Sequence, residues 1–388
     1  MNVLIVTDTY PPDINGVART LQMWAQGLAS RGHRVTVVTT TEEARDANAQ
    51  ENVEVIAVAA LPIPGYQGIR VGMASRRQLE DLIQNKRPDA MYVAVESLMG
   101  LNAVRAAGRT RVPVVSGFHT NFHTYSKDYR LPLLRNTAEW YLRYLHNRTA
   151  RTLTPSESTA EQLRALGIGN VGVLGRGVDT KLFHPQRRNV MLRQSWGATD
   201  QTPVALFVGR IAAEKNLPLV VKAFRQITAQ RADARCVFVG DGPLADNLKQ
   251  EHPDFIHAGA RTGEDLAQHY ASADLFIFPS LTETFGNVIT EALTSGLVCV
   301  TYDYAAGRQF IRNGHNGYTA PYEDDAAYMD GVVTALNHWN DPTIRSAAAN
   351  TSQHLSWDAI ITQFENELFT AHLADTTTSI AAPVMKAT

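Results

Sequence analysis

The chain has 388 residues, 44% of them apolar and 19% charged, with 36 Lys and Arg against 38 Asp and Glu. That composition excludes a disordered or collagen-like chain, and the even charge gives no global attraction to nucleic acid. The two cysteines, Cys236 and Cys299, each sit in an apolar run. They exclude a disulfide scaffold and a Cys-rich zinc site, and they fit a reducing compartment.

Along the chain, VLIV (3–6) reads as a buried strand, followed by the loop TDTYPPDING and a helical pattern over 17–30 with Val17, Leu21, Trp24 and Leu28 in register. RVTVVTT (34–40), VEVIAV (53–58), AMYVAV (90–95) and PVVSGF (113–118) are further strands. The second half repeats the pattern. VALFVG (204–209), CVFVGDG (236–242), DFIHAG (254–259), DLFIFPS (274–280) and VCVTY (298–302) read as strands, with helices over 217–230 and 286–296. Strands that are apolar throughout and separated by helices predict parallel sheets covered on both faces. The fold class is therefore α/β, with two doubly wound, Rossmann-like domains facing across a cleft and ligands at the carboxyl ends of the strands.

The boundary is expected near 185, because 184–203 lacks long apolar runs. The charge agrees: residues 1–185 hold 21 Lys and Arg against 16 Asp and Glu, and 186–388 hold 15 against 22. Residues 1–185 form one domain and 186–355 the second. An amphipathic packing helix over 356–373 follows, crossing back to the first domain, and then a disordered tail over 374–388. No apolar stretch approaches the ~18 residues of a membrane span. The first residues lack the features of a signal peptide, so a cytoplasmic protein is expected.

The chemistry concentrates in the second half. In FPSLTETFGNVITEALTSG (278–296) a strand ends, a turn follows and a helix opens near Gly286 and Asn287. Free amides at a helix start form an anion site, and a glycine there allows close approach. Glu283 and Glu291 can accept hydrogen bonds from hydroxyls at two ends of one extended ligand, each charge-assisted bond contributing about 1.5–3 kcal/mol. Two surface glutamates are the plainer alternative. Arg210 and Lys215, in FVGRIAAEKN (207–216), suit a diphosphate at a strand's carboxyl edge, unless they are merely solvated. GDGP (240–243) is a tight turn, and with no G-x-G-x-x-G or P-loop present the oxidoreductase and NTPase readings lose support.

In combination these pieces resemble family-four glycosyltransferases of the GT-B fold. The matching stretches are YPPDINGVA (10–18), GFHT (117–120), TPSE (154–157), GRGVD…F.P (175–185), VGR…EKN (209–216), GDGP (240–243) and the Glu283–Glu291 unit. The resemblance implies that Glu291 binds the ribose hydroxyls and Glu283 the hexose, helped by backbone N–H groups around Phe285, Gly286 and Asn287. Arg210 and Lys215 would hold the diphosphate, Gly16 would let the first domain close over the phosphates, His119 would lie near the transferred sugar and Arg261 near the nucleobase. It implies a retaining hexosyltransferase that uses a GDP- or UDP-sugar carrying mannose, glucose or glucuronic acid. No cofactor and no metal are expected: there is no D-x-D pair, and Arg210, Lys215 and the helix dipole can take the ion's place. The His119/His123 spacing is not read as a zinc site.

Residues 118–151 carry six Lys and Arg against two acids, with Phe122, Tyr125, Tyr129, Trp140, Tyr141 and Tyr144. A basic, aromatic segment suits an anionic membrane surface, and a helix pair lining the cleft is the alternative. The stretch looks most like relatives that glycosylate membrane lipids, the sulfolipid synthases and lipid mannosyltransferases. The expected acceptor is a lipid such as diacylglycerol or a glycolipid, met at the inner face of the cytoplasmic membrane, with RLPLLR (130–135) admitting an acyl chain. Nucleic acid is not an expected partner. The competing readings are a soluble or polysaccharide acceptor, an epimerase or phosphorylase of the same fold, and a nucleotide-sugar-binding protein without turnover.

Overall fold

The computed structural model describes residues 1–13, 15–40, 52–62, 70–119 and 132–381. It comprises two compact units, Met1–Gly175 together with the C-terminal segment from Trp357, and Arg176–Ser356. In the first unit the strands are β1 (Asn2–Val6), β2 (Arg34–Thr39), β3 (Val53–Ala57), β6 (Ala90–Val93), β7 (Val114–Gly117), β8 (Arg151–Thr154) and β9 (Val171–Val173). They form one parallel sheet in the order β3-β2-β1-β6-β7-β8-β9, and a small antiparallel pair, β4 (Ala60–Pro62) and β5 (Arg70–Gly72), stands apart. The second unit holds β10 (Val204–Val208), β11 (Arg235–Val239), β12 (Ile256–Gly259), β13 (Leu275–Phe278), β14 (Val298–Tyr302) and β15 (Gly317–Ala320), parallel in the order β12-β11-β10-β13-β14-β15.

The physical cause is plain in the inner strands. β6, β7, β10, β13 and β14 are buried at every residue. A strand covered on both faces has no polar face to show, so its sequence cannot alternate. In each sheet the chain starts in the middle, at β1 and at β10, and later strands add on opposite sides. The order reverses between β1 and β6 and between β10 and β13, which leaves the loops after those strands on either side of a crevice at the carboxyl edge.

The units divide at Gly175–Arg176, ten residues before the boundary read from the sequence, because Val178 and Phe183 already belong to the second core. The helix Trp357–Ala381 packs on the first unit: Phe364 stacks on Trp24 at 4.3 Å and meets Tyr92 edge-on at 5.0 Å. The Glu365 carboxylate receives Arg31 Nη1 and His33 Nε2, each at 2.7 Å. This helix continues to Ala381, past the point where the sequence implies a disordered tail, and residues 382–388 lie outside the described residues.

At the amino edge of the second sheet, Asp274 is fully buried and gathers three guanidinium groups, Arg345 at 2.7 Å and Arg188 and Arg193 at 3.1 Å. It also accepts the Val204 N–H at 3.0 Å, which pins the start of β10 to the start of β13. Arg193 is itself buried, and its Nη groups also donate to the Ser272 and Thr202 carbonyls, both at 2.7 Å. Removing one partner from such a group strands a buried charge. Asp274→Ala is expected to destabilise the protein by about 3–5 kcal/mol in urea denaturation; a change below about 1 kcal/mol, the range of an exposed pair, contradicts this role.

Candidate active site

The segments picked from the sequence are the two loops that flank the second sheet's order reversal. After β10 the chain runs through Gly209 and Arg210 into a short 3-10 turn, Ala213–Lys215, before the helix Leu217–Gln230. After β13 it runs through Pro279 and Ser280 to Gly286, which stands in the left-handed region (φ 94°, ψ 58°), and then into the helix Asn287–Thr294. A residue with a Cβ is strained at that φ, which explains a glycine there. Its N-cap residue, Gly286, offers no side-chain cap, so its opening amides face the loop with their partial positive charge. The Asn287 Oδ1 atom in the first turn is buried with no hydrogen-bond partner among the described residues.

Lys215 and Glu283 come together. Lys215 Nζ donates to Glu283 Oε1, the same oxygen accepts the Ser280 hydroxyl at 2.7 Å, and the two side chains keep only 15% and 14% of their exposure. Lys215 Nζ also stands 5.6 Å from the centre of the Phe278 ring. One turn into the helix, Glu291 Oε2 accepts the Tyr270 hydroxyl at 3.0 Å. Tyr270 is fully buried, and burial followed by the neighbouring Glu291 charge pushes its hydroxyl well above its ordinary pKa, so it remains a donor. Phe285 is buried beneath the turn, so only its backbone can meet a ligand.

Other candidates stand differently. Arg210 is 67% exposed and lies 3.8 Å from Glu214, outside the Lys215–Glu283 contact. Behind it the GDGP turn acts as a brace: Ile211 N–H donates to the Asp241 carbonyl at 2.9 Å and Leu244 N–H to the Ile211 carbonyl at 3.0 Å. Arg261 folds onto its own loop, bonding the Ala258 carbonyl at 2.9 Å and Asp265 at 3.0 Å. In the first unit, Gly16 opens the helix Gly16–Ser30, whose first amides are already taken: Asn15 Oδ1 accepts from Val17 N at 3.0 Å and Ala18 N at 2.9 Å. His119 Nε2 lies 2.8 Å from the Tyr92 hydroxyl. A side chain at Gly117 would run into that contact, with its Cβ 2.0 Å from the Tyr92 oxygen. His123 lies outside the described residues.

Ser280 and Tyr270, the partners of the two glutamates, were not singled out in the sequence. Ser280 sits three residues before Glu283, but a serine after a strand carries no signal of its own. Tyr270 reads as a core aromatic of the helix Gly263–Ser272. The usable clue is that a buried tyrosine hydroxyl needs a partner.

Two parallel-sheet units with these sites agree with the comparisons to known proteins. Residues 14–182 match Glycosyltransferase Family 4 and residues 202–338 match Glycosyl transferases group 1. The GDP-mannose-dependent alpha-mannosyltransferase of Corynebacterium glutamicum is 31% identical over 94% of this chain and 87% of its own length. The chain is a family 4 glycosyltransferase. The sulfoquinovosyl transferase SQD2 of Arabidopsis thaliana is a more distant relative of this glycosyltransferase, 28% identical over 92% of the chain and 71% of its own length. Among solved structures, Anabaena HepE in complex with UDP shares the fold, with a TM-score of 0.74 at 20% identity over 95% of this chain and 100% of that one. The family read from the motifs and the GT-B fold class are borne out.

Proposed function

We propose that this glycosyltransferase moves a hexose, with retention of anomeric configuration, from a nucleoside-diphosphate sugar to a membrane lipid or glycolipid. The observation that carries the reading is the contact between Lys215 and Glu283 beside an uncapped helix start. One group is suited to a phosphate, the other to sugar hydroxyls, and they stand where a pyrophosphate and its sugar join. Glu291 receives the ribose hydroxyls, the amides at 286 and 287 receive phosphate oxygens, and Arg210 reaches the diphosphate by swinging in from solvent. Arg261 serves the nucleobase loop. Departure of the diphosphate leaves oxocarbenium character on the sugar, so the main catalytic term is stabilisation of the leaving group by Lys215 and the helix dipole. The leaving phosphate takes the acceptor's proton, and His119 supplies a hydrogen bond near the sugar. Lys215, Arg210 and the helix dipole take the place of a metal ion at the leaving group.

GDP-mannose, the donor named for the Corynebacterium relative, is the first to test, with UDP-glucose beside it. Wild type is expected to transfer the sugar to a lipid acceptor in excess EDTA. Lys215→Ala is expected to lower kcat by about 100-fold or more with the fold intact, as loss of an oxyanion-type donor does. Abolition by EDTA, or equal rates for Lys215→Ala and wild type, contradicts the assignment; label appearing only in a water-soluble product contradicts the lipid acceptor.

The lipid side of the reading draws on the helix Pro132–His146. Trp140 is 56% exposed and stacks on Tyr144 with ring centres 5.3 Å apart. The Arg148 guanidinium lies 3.5 Å over the Tyr144 ring and Arg105 5.7 Å from it. Aromatic rings with cations at their edge suit the headgroup layer of an anionic bilayer, where each cation contributes about 1 kcal/mol. Phe122, Tyr125, Tyr129 and the first part of RLPLLR lie outside the described residues, and no helix among the described residues is long and apolar enough to cross a membrane. Vesicles containing phosphatidylglycerol are expected to sediment the protein at low salt and release it at high salt. Trp140→Ala with Arg148→Ala should weaken that binding; equal binding by neutral vesicles contradicts it.

A further inference from the structure

The turn that carries Glu283 is held by its backbone, and the groups that hold it come from a different part of the chain. The Tyr304 hydroxyl donates to the Glu283 carbonyl at 2.8 Å, and the Tyr322 hydroxyl donates to the Leu281 carbonyl at 2.8 Å. Ala306 N–H donates to the Phe285 carbonyl, also at 2.8 Å. Three alternate carbonyls, at 281, 283 and 285, are thus fixed from one side. From the other side Leu281 N–H reaches the Glu214 carbonyl at 3.3 Å, next to Lys215.

The tyrosines are themselves anchored. Their rings pack 5.2 Å apart, Tyr302 lies 5.8 Å from Tyr322, and the Tyr302 hydroxyl donates to Asp325 at 2.6 Å. Between Tyr304 and Ala306, Ala305 stands in the left-handed region at φ 49°. That conformation is unfavourable for a residue with a Cβ and persists only where surrounding contacts fix it. Burial pushes the Tyr304 hydroxyl up to about 12, so it is a donor throughout the neutral range.

Glu291 has no need of this device. It sits within a regular helix, and its carboxylate is oriented by Tyr270. Glu283 lies in an irregular turn: Lys215 and Ser280 hold its carboxylate, but no helix fixes the backbone that carries it. We infer that Tyr304 and Tyr322 are positioning residues for the sugar-side carboxylate Glu283: by fixing the carbonyls of its turn they govern transfer of the hexose without governing capture of the nucleotide. The inference rests on the functional reading above.

The test uses Tyr304→Phe and Tyr322→Phe in the full chain, each removing a single oxygen. The donor is GDP-mannose or UDP-glucose, whichever wild type turns over. For each variant kcat is expected to fall about tenfold or more, since small misplacements of a reacting group cost that much, while the Kd for free GDP or UDP by calorimetry stays within twofold. Glu291→Ala, as a control, loses the free diphosphate. A wild type that neither binds the diphosphates nor transfers either sugar overturns the functional reading and the inference with it. An active wild type whose Tyr304→Phe and Tyr322→Phe variants keep kcat within twofold, or lose diphosphate affinity in step with kcat, overturns the inference alone. If circular dichroism shows that one variant is unfolded, the other carries the test; if both are, the tyrosines hold the fold rather than the site, and the inference is overturned.

Discussion

A lysine ammonium and a glutamate carboxylate, each largely shielded from water, satisfy one another at the carboxyl edge of the second sheet. Neither group alone tolerates that degree of burial cheaply, because an unpaired ion loses its hydration without compensation. Their pairing sets both beside a helix start whose N-cap residue, Gly286, offers no side-chain cap. On the proposed reading, a diphosphate would offer Lys215 a stronger partner, and the sugar hydroxyls would offer Glu283 replacements for the bond it gives up. That exchange would link phosphate recognition to sugar recognition through a single contact.

The second unit separates stability from chemistry along its strands. At the amino edge, Asp274 and its three arginines tie β10 to β13. At the opposite edge the same two strands release the loops that carry Lys215 and Glu283. A parallel sheet makes this division natural, since all strands point the same way and all connecting helices begin at one edge. In the first unit the helix after the first loop is capped by Asn15, whereas the helix after β13 opens at Gly286 with no side-chain cap.

Much of this was legible in the sequence. Uniformly apolar runs such as VALFV and LFIF declare buried parallel strands because such strands have no exposed face. The short strands Arg151–Thr154, Val171–Val173 and Gly317–Ala320 were missed, since three or four residues mixed with Thr, Gly or Arg carry no such signal. Arg193 falls in 184–203, a stretch without long apolar runs, and only the fold reveals its burial against Asp274. Of the cationic pair, Lys215 meets the carboxylate while Arg210 turns to solvent, a difference that spacing cannot express. Tyr270, Tyr304 and Tyr322 act through contacts between segments 21 to 41 residues apart, and no local pattern encodes those.

The most direct measurement is a crystal structure of the protein with GDP or UDP bound. The account predicts Lys215 Nζ at about 3 Å from a phosphate oxygen, that oxygen also facing the amides at 286 and 287, and the ribose on Glu291. A diphosphate seated elsewhere, with Lys215 still on Glu283, contradicts it.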